Sequence, residues 1–260
     1  MRPRAALAAA LLPALTAGPA PATAERLVTS ISRHQVQVNS SFNGTSIVLF
    51  GTIEPDGEEA RRSAGYDLVV TVQGPKQTIV ERRKQRVLGI WTNVASRTFV
   101  NVPTYLAVMS SQPFEKISDA ESLRRLKVGF DNILLPQQIG PDLGDVPLTD
   151  PFRMSFIRLK QQHGLYVQKT NGVTLLTPTV FRAEIPLPAE TAIGSYNVEI
   201  KAFADGALKA SGVSAFEITK VGFEQFVANA ARDHGLLYGL TTAMMAVLTG
   251  WFASVVFRRD

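Results

Sequence analysis

Cysteine is absent from the 260 residues. Its absence excludes disulfides, a thiolate nucleophile, Cys-ligated zinc, iron–sulfur clusters and a lipidated N-terminal cysteine. No two glycines are separated by a single residue, so a G-x-G dinucleotide fingerprint cannot form, and neither a P-loop, a G-x-S-x-G elbow nor an H-E-x-x-H zinc motif occurs. Histidine is scarce: His34, His163 and His234 lie far apart with no metal-ligand spacing, and each reads as a polar surface residue. Charge is low at 19%, yet 45% of residues are hydrophobic, which is enough to close a core and excludes general disorder.

The apolar excess sits at the two ends. Met1–Ala24 has a cationic start (Arg2, Arg4), an apolar run Ala5–Leu15 and an Ala22-Thr23-Ala24 cleavage pattern, so residues 1–24 read as a signal peptide. The run is too short for the ~20 residues of a spanning helix. Gly235–Phe257 carries no charge. At ~1.5 Å per residue it reaches about 34 Å against an apolar slab of ~30 Å, and so predicts a transmembrane helix over 235–257. Tyr238, Trp251, Phe252 and Phe257 suit interfacial anchoring, and Arg258-Arg259 act as a stop-transfer pair before a cytoplasmic tail, 258–260. The expected topology is a single pass with the bulk of the chain exported. Arg2, Arg4, Arg258 and Arg259 supply much of the +5 net charge, so the remaining chain is close to neutral and carries no nucleic-acid footprint.

Between the ends the pattern predicts mainly β structure. In an N-terminal β lobe, 25–112, His34–Ile53 reads as a pair of strands around Asn43-Gly44, followed by strands over Tyr66–Gln73, Thr78–Trp91 and Thr98–Met109. Residues 113–164 read as an insertion of two short helices. The first is opened by a Ser118-Asp119-Ala120-Glu121 capping box; the second has Asp150 as N-cap, Pro151 at the first position, Phe152, Phe156 and Leu159 on one face, and Gly164 at its end. Residues 165–220 return to strands, with hairpin turns expected at Asn171-Gly172 and Asp205-Gly206 and clear alternation over Thr179–Ile185 and Ser195–Ala204. Many short strands in this order predict a sandwich. Phe181–Asp205, with its Gly194-Ser195-Tyr196 start, resembles the late strands of immunoglobulin-like modules on bacterial surface proteins. The expected fold is therefore an immunoglobulin-like β-sandwich with two inserted helices, an amphipathic juxtamembrane helix over 221–234 and one C-terminal membrane helix. The juxtamembrane helix either continues into the span or breaks near Gly235.

Two features qualify as candidate interaction sites. Arg82, Arg83, Lys84 and Arg86, followed by Trp91, form the densest charge cluster, fit for anionic headgroups or an acidic partner, or simply for protecting a strand edge. In the span, Gly235, Gly239, Ala246, Gly250 and Ser254, with Thr242, make a ridge of small residues suited to close helix association. Asp142, Asp145 and Asp150 share one loop, but their spacing is not that of an EF-hand and Asp150 serves as a cap. The sequons at Asn39 and Asn43 are what turn chemistry alone would give. No catalytic, cofactor or metal residues are expected.

Phe42-Asn43-Gly44-Thr45, Leu49-Phe50-Gly51, Val87-Leu88-Gly89-Ile90-Trp91 and Gly222-Phe223-Glu224-Gln225-Phe226, leading through Tyr238-Gly239 and Gly250-Trp251 to Phe257-Arg258-Arg259, carry a further likeness. Across the mature chain they resemble the alphaproteobacterial transmembrane protein family, a group of uncharacterised proteins of about this size. The resemblance implies an exported domain anchored in a Gram-negative inner membrane, encoded beside sulfite-exporter-type permeases, and it supplies no catalytic residues. The expectation is a non-enzymatic accessory or binding module with membrane lipid, a permease or its own copies as partners. An anchored periplasmic hydrolase is the alternative; it requires His163 to meet an acid and a buried serine in a cleft. Sensing is disfavoured by a cytoplasmic tail too short for an output domain.

Overall fold

A computed structural model describes residues 25–55, 65–139, 142–145 and 147–257. The signal-peptide reading of 1–24 and the stop-transfer arginines fall outside the described residues. Among the described residues fourteen strands form three sheets. The first is ordered β1 (Arg26–Ile31), β3 (Thr45–Glu54), β12 (Val180–Leu187), β11 (Val173–Leu175). The second is ordered β10 (Tyr166–Lys169), β7 (Leu106–Ser110), β4 (Asp67–Gln73), β13 (Gly194–Ala204), β14 (Ala207–Lys220), β2 (Gln35–Val38). The third holds β5 (Lys76–Val87), β6 (Ile90–Pro103), β8 (Gln137–Ile139) and β9 (Asp142–Gly144). The protein is thus mainly β, and segments 25–112 and 165–220 both contribute strands to the first and second sheets.

Alternation explains how these strands bury one side. In β12, Phe181, Ala183, Ile185 and Leu187 are buried while the residues between them are exposed. Opposite them Ile47, Leu49 and Ile53 of β3 are buried, and one apolar cluster joins this sheet to Val70, Val72, Val198 and Ile200 of the second. β4 and β7 are buried almost throughout, as expected of central strands covered on both faces. Gly51 lies opposite Phe181, and a methyl group there would stand 2.3 Å from the aromatic ring. Glycine is therefore the price of seating Phe181 across the sheet.

Two tyrosines tie loops to this core. Tyr105 donates to the Pro186 carbonyl, and Tyr196, at the start of β13, donates back to the Ala192 carbonyl four residues upstream at 2.7 Å. Burial pushes both phenols above their ordinary range, so they remain neutral donors.

Several expectations change. β2 and β3 do not pair with each other: β2 lies parallel to β14, whereas β3 is held between β1 and β12, because each half of His34–Ile53 buries its apolar side on a different sheet. Asn171-Gly172 makes no hairpin either. Asn171 is left-handed (φ 59°), but the turn carries the chain from β10, parallel to β7, across to β11 in the other sheet. Thr78–Trp91 is nearly all of one strand, a turn and the start of another.

The first expected helix is α2 (Ala120–Arg125), and a further one-turn helix, α1 (Phe114–Ile117), precedes it. Asp119, rather than Ser118, caps α2 by accepting from the Ser122 amide at 2.7 Å, while Ser118 donates to the Gly206 carbonyl. That cap holds the exposed Asp119 carboxyl below its ordinary pKa. The second helix, α3 (Pro151–Gln162), follows its sequence signals: Asp150 accepts from the Arg153 amide at 2.9 Å and Gly164 is left-handed. Its buried side chains are Phe156 and Arg153, whereas Leu159 is exposed.

The juxtamembrane helix α4 (Phe223–Asp233) is separate from α5 (Gly235–Val256), with a break at His234 (φ −131°, ψ 48°). α5 is a 22-residue helix of mean hydropathy 1.5 with no buried residue. It is long and apolar enough to cross a membrane.

Candidate functional site

The β5–β6 hairpin is an arm built as a continuation of the β4–β7 pair. The Gly74 amide donates to Tyr105 O and the Thr104 amide to Pro75 O, both at 2.9 Å, so the ladder passes directly into Lys76↔Pro103. Register shifts between Gln77 and Ile79 and between Arg83 and Lys84, with Asn101 at φ 56°, interrupt its regularity. β8 pairs with β6 only at Thr98 and Phe99, which leaves the outer arm a two-stranded ribbon. Its tip is the two-residue turn Leu88-Gly89, with φ of 50° and 86°, the positive values a primed hairpin turn demands.

All the residues singled out from the charge cluster lie on this ribbon. Arg82, Arg83, Lys84 and Arg86 are exposed, with Arg86 directly opposite Trp91. Arg86 Nε donates to the Gly89 carbonyl at 3.1 Å, fastening the turn. Arg82, Arg83 and Lys84 have no ion-pair partner among the described residues. β5 is an edge strand, so the positive charges also guard against edge pairing. Edge protection accounts for the charges but not for the apolar tip, where Leu88 is 99%, Ile90 69% and Trp91 67% exposed.

At its base the arm packs on α3. Phe99 stacks on Phe156 at 4.4 Å between ring centres, and the Arg97 guanidinium lies 5.3 Å from the Phe152 ring centre. A cleft of about 400 Å³ beside this contact is lined by Ile79, Glu81, Phe156, Lys160, His163 and Glu190. Burial pushes the Glu81 carboxyl up to about 7, with the Arg158 charge opposing it and Asp150 adding to the rise. Burial also lowers the pKa of Lys160, against the pull of Glu190. His163 Nδ1 lies 2.8 Å from Glu190 Oε2, and both side chains are more than half exposed. The acid that a histidine-based hydrolase needs is present, but no serine lines this cleft.

A second cavity, about 340 Å³, lies between the second sheet and the insertion, with Thr71, Leu106 and Val108 on its floor and Lys76, Asn101 and Lys127 at its mouth. The acidic loop is otherwise engaged. Arg153, buried although charged, donates to Asp145 Oδ1 at 2.9 Å and to the Ile133 carbonyl at 2.7 Å, while Asp150 caps α3. Among the described residues no three potential ligands gather around a metal position. Asn39 accepts from the Ser41 amide and hydroxyl, the turn chemistry expected of its sequon. Sequence reasoning missed Arg153, because a lone arginine on an amphipathic helix carries no signal of burial.

On α5, Gly235, Gly239, Ala246, Gly250 and Ser254 are exposed, and a methyl group at any of the three glycines would meet nothing within 4 Å. Thr241, Thr242 and Thr249 return their hydroxyls to carbonyls three or four residues earlier. These three hydroxyls are thereby satisfied within the helix, as a lipid environment requires.

A closed β domain followed by one unburied apolar helix defines a membrane-anchored protein. The family model described as "Putative transmembrane protein (Alph_Pro_TM)" matches residues 26–259, and the chain belongs to that family. No curated protein and no solved structure matches it.

Proposed function

We propose that this is a single-pass inner-membrane protein whose periplasmic, immunoglobulin-like domain serves as a non-enzymatic binding or accessory module, in partnership with a permease of the sulfite-exporter type. The observation that carries the reading is α5: the core closes without it, and all 22 of its residues lie outside that core. Export is supported by the leader pattern at Met1–Ala24 and the inward arginines at 258–259. The immunoglobulin-like reading is supported by strand order: β1, β3, β12, β11 and β10, β7, β4, β13, β14 follow the two-sheet order of variable-type domains, A-B-E-D and C″-C′-C-F-G. The Tyr196 hydroxyl bond to Ala192, at the turn into the F-like strand, matches the tyrosine corner of such sandwiches. The β5–β6 arm then extends the C–C′ turn.

A binding role is favoured because the exposed features are surfaces rather than an assembled catalytic group. Two experiments test it. Protease added to spheroplasts should degrade the domain and leave α5 membrane-bound; protection of the domain refutes the topology. Extraction in mild detergent should recover a permease with the protein, and recovery of the protein alone refutes the accessory role. An anchored hydrolase is the second reading, favoured only by the His163–Glu190 pair.

A further inference from the structure

The arm leaves the domain at the end from which the chain departs for the membrane. β14 pairs with β13 so that Ile218 lies opposite Gly194, and Gly194 sits against Pro75, at the root of the arm. Two residues beyond Ile218, β14 ends at Lys220 and leads into α4. The twelve residues of β5 extend about 40 Å at ~3.3 Å each, whereas the eleven-residue α4 spans about 16 Å at ~1.5 Å each. The arm is long enough to reach the surface of the bilayer that holds α5.

We propose that the tip of the β5–β6 arm inserts into the anionic leaflet of that bilayer, Leu88, Ile90 and Trp91 entering the interface while Arg82, Arg83, Lys84 and Arg86 engage lipid phosphates. The proposal rests on the anchored topology above. Its chemistry is that of interfacial anchors: apolar and aromatic groups at one extremity, with cations behind them at headgroup depth. The fold itself gives no other use for the tip. Leu88 occupies a left-handed position unfavourable to a leucine, touches almost nothing and is followed by two further exposed apolar side chains. Charge complementarity selects an anionic lipid surface, since the three cations Arg82, Arg83 and Lys84 lack partners among the described residues.

The test uses the full anchored chain carrying Trp251→Phe, which leaves Trp91 as the sole tryptophan of the two. It is reconstituted in vesicles of phosphatidylcholine with or without phosphatidylglycerol, and Trp91 emission is quenched by lipid-borne bromine or by aqueous acrylamide. Bromine quenching and acrylamide protection are expected in the anionic vesicles. Each cation reversed, as in Arg82→Glu with Arg83→Glu, should lower the inserted-to-free ratio about fivefold or more. Leu88→Asp should abolish insertion without loss of circular dichroism. Free access of acrylamide to Trp91 in anionic vesicles overturns the proposal, as does equal protection in neutral ones or protection appearing only when a second membrane protein is added. Retention of the chain on vesicles after an alkaline wash reports α5 separately, so failure of the arm and failure of the anchor are distinguishable.

Discussion

Leu88→Asn is expected to stabilise the arm. A leucine at φ 50° in the turn carries the left-handed penalty of ~1–2 kcal/mol, most of which asparagine avoids, and Asn-Gly is a favoured pair for a primed hairpin turn. No compensating loss arises, because a side chain 99% exposed contributes no burial to be forfeited. The net gain should be about 1 kcal/mol, or about a fivefold reduction in the opening equilibrium of the ribbon. Amide hydrogen exchange, read by mass spectrometry on peptides covering Lys84–Asn93 in uncharged detergent micelles, measures that opening locally. Slower exchange confined to the arm is the expected result. Unchanged or faster exchange would mean that Leu88 makes stabilising contacts in the fold, and the argument that its place is unexplained by folding would collapse.

Gly51→Ala should cost about 1–3 kcal/mol in urea denaturation, because the new methyl group must displace the buried Phe181 ring. Arg153→Ala should cost about 1.5–3 kcal/mol, since it removes the guanidinium bonds to Asp145 Oδ1 and the Ile133 carbonyl and opens a void; a loss below about 1 kcal/mol would show that water replaces the guanidinium freely. Glu81 binds its proton more tightly in the folded protein than in the unfolded chain, so its contribution is full below about pH 4.5 and lost as pH rises through about 7. With screening at a partly exposed site this amounts to about 1 kcal/mol, and Glu81→Gln should flatten the difference between urea midpoints measured near pH 5 and pH 8. Replacing Gly239 and Gly250 by leucine should weaken crosslinking between α5 and a neighbouring helix by about fivefold or more; unchanged crosslinking would dismiss the ridge.

Where one residue type decides a local conformation, the sequence was informative. Asp150-Pro151 and Gly164 delimit α3, Asp205-Gly206 closes β13 onto β14, and alternation exposes the two faces of β12. The apolar run of α5 was equally plain, since length and lack of charge suffice. Pairing across the chain was not legible. Nothing local to Gln35–Val38 states that it will lie beside Lys220 rather than Thr45, nor does Asn171-Gly172 announce that its flanking strands belong to different sheets. The arm was missed because Leu88-Gly89 lacks an expected turn residue at its first position, so two strands read as one. Arg82, Arg83, Lys84, Arg86 and Trp91 were found as a cluster, but their projection on a two-stranded ribbon depends on β8 ending its pairing at Thr98.

The position of β14 has a mechanical consequence. It is the strand that hands the domain to its anchor, and it is flanked by β13 along its length and by β2 over its final residues, Glu217–Lys220. A tug transmitted from α5 along the strand axis would load both ladders in shear, so their hydrogen bonds would resist together rather than peel apart one after another. The parallel β2 strap sits at the point where that load enters, and removing it would expose the sandwich to being unravelled from its own tether.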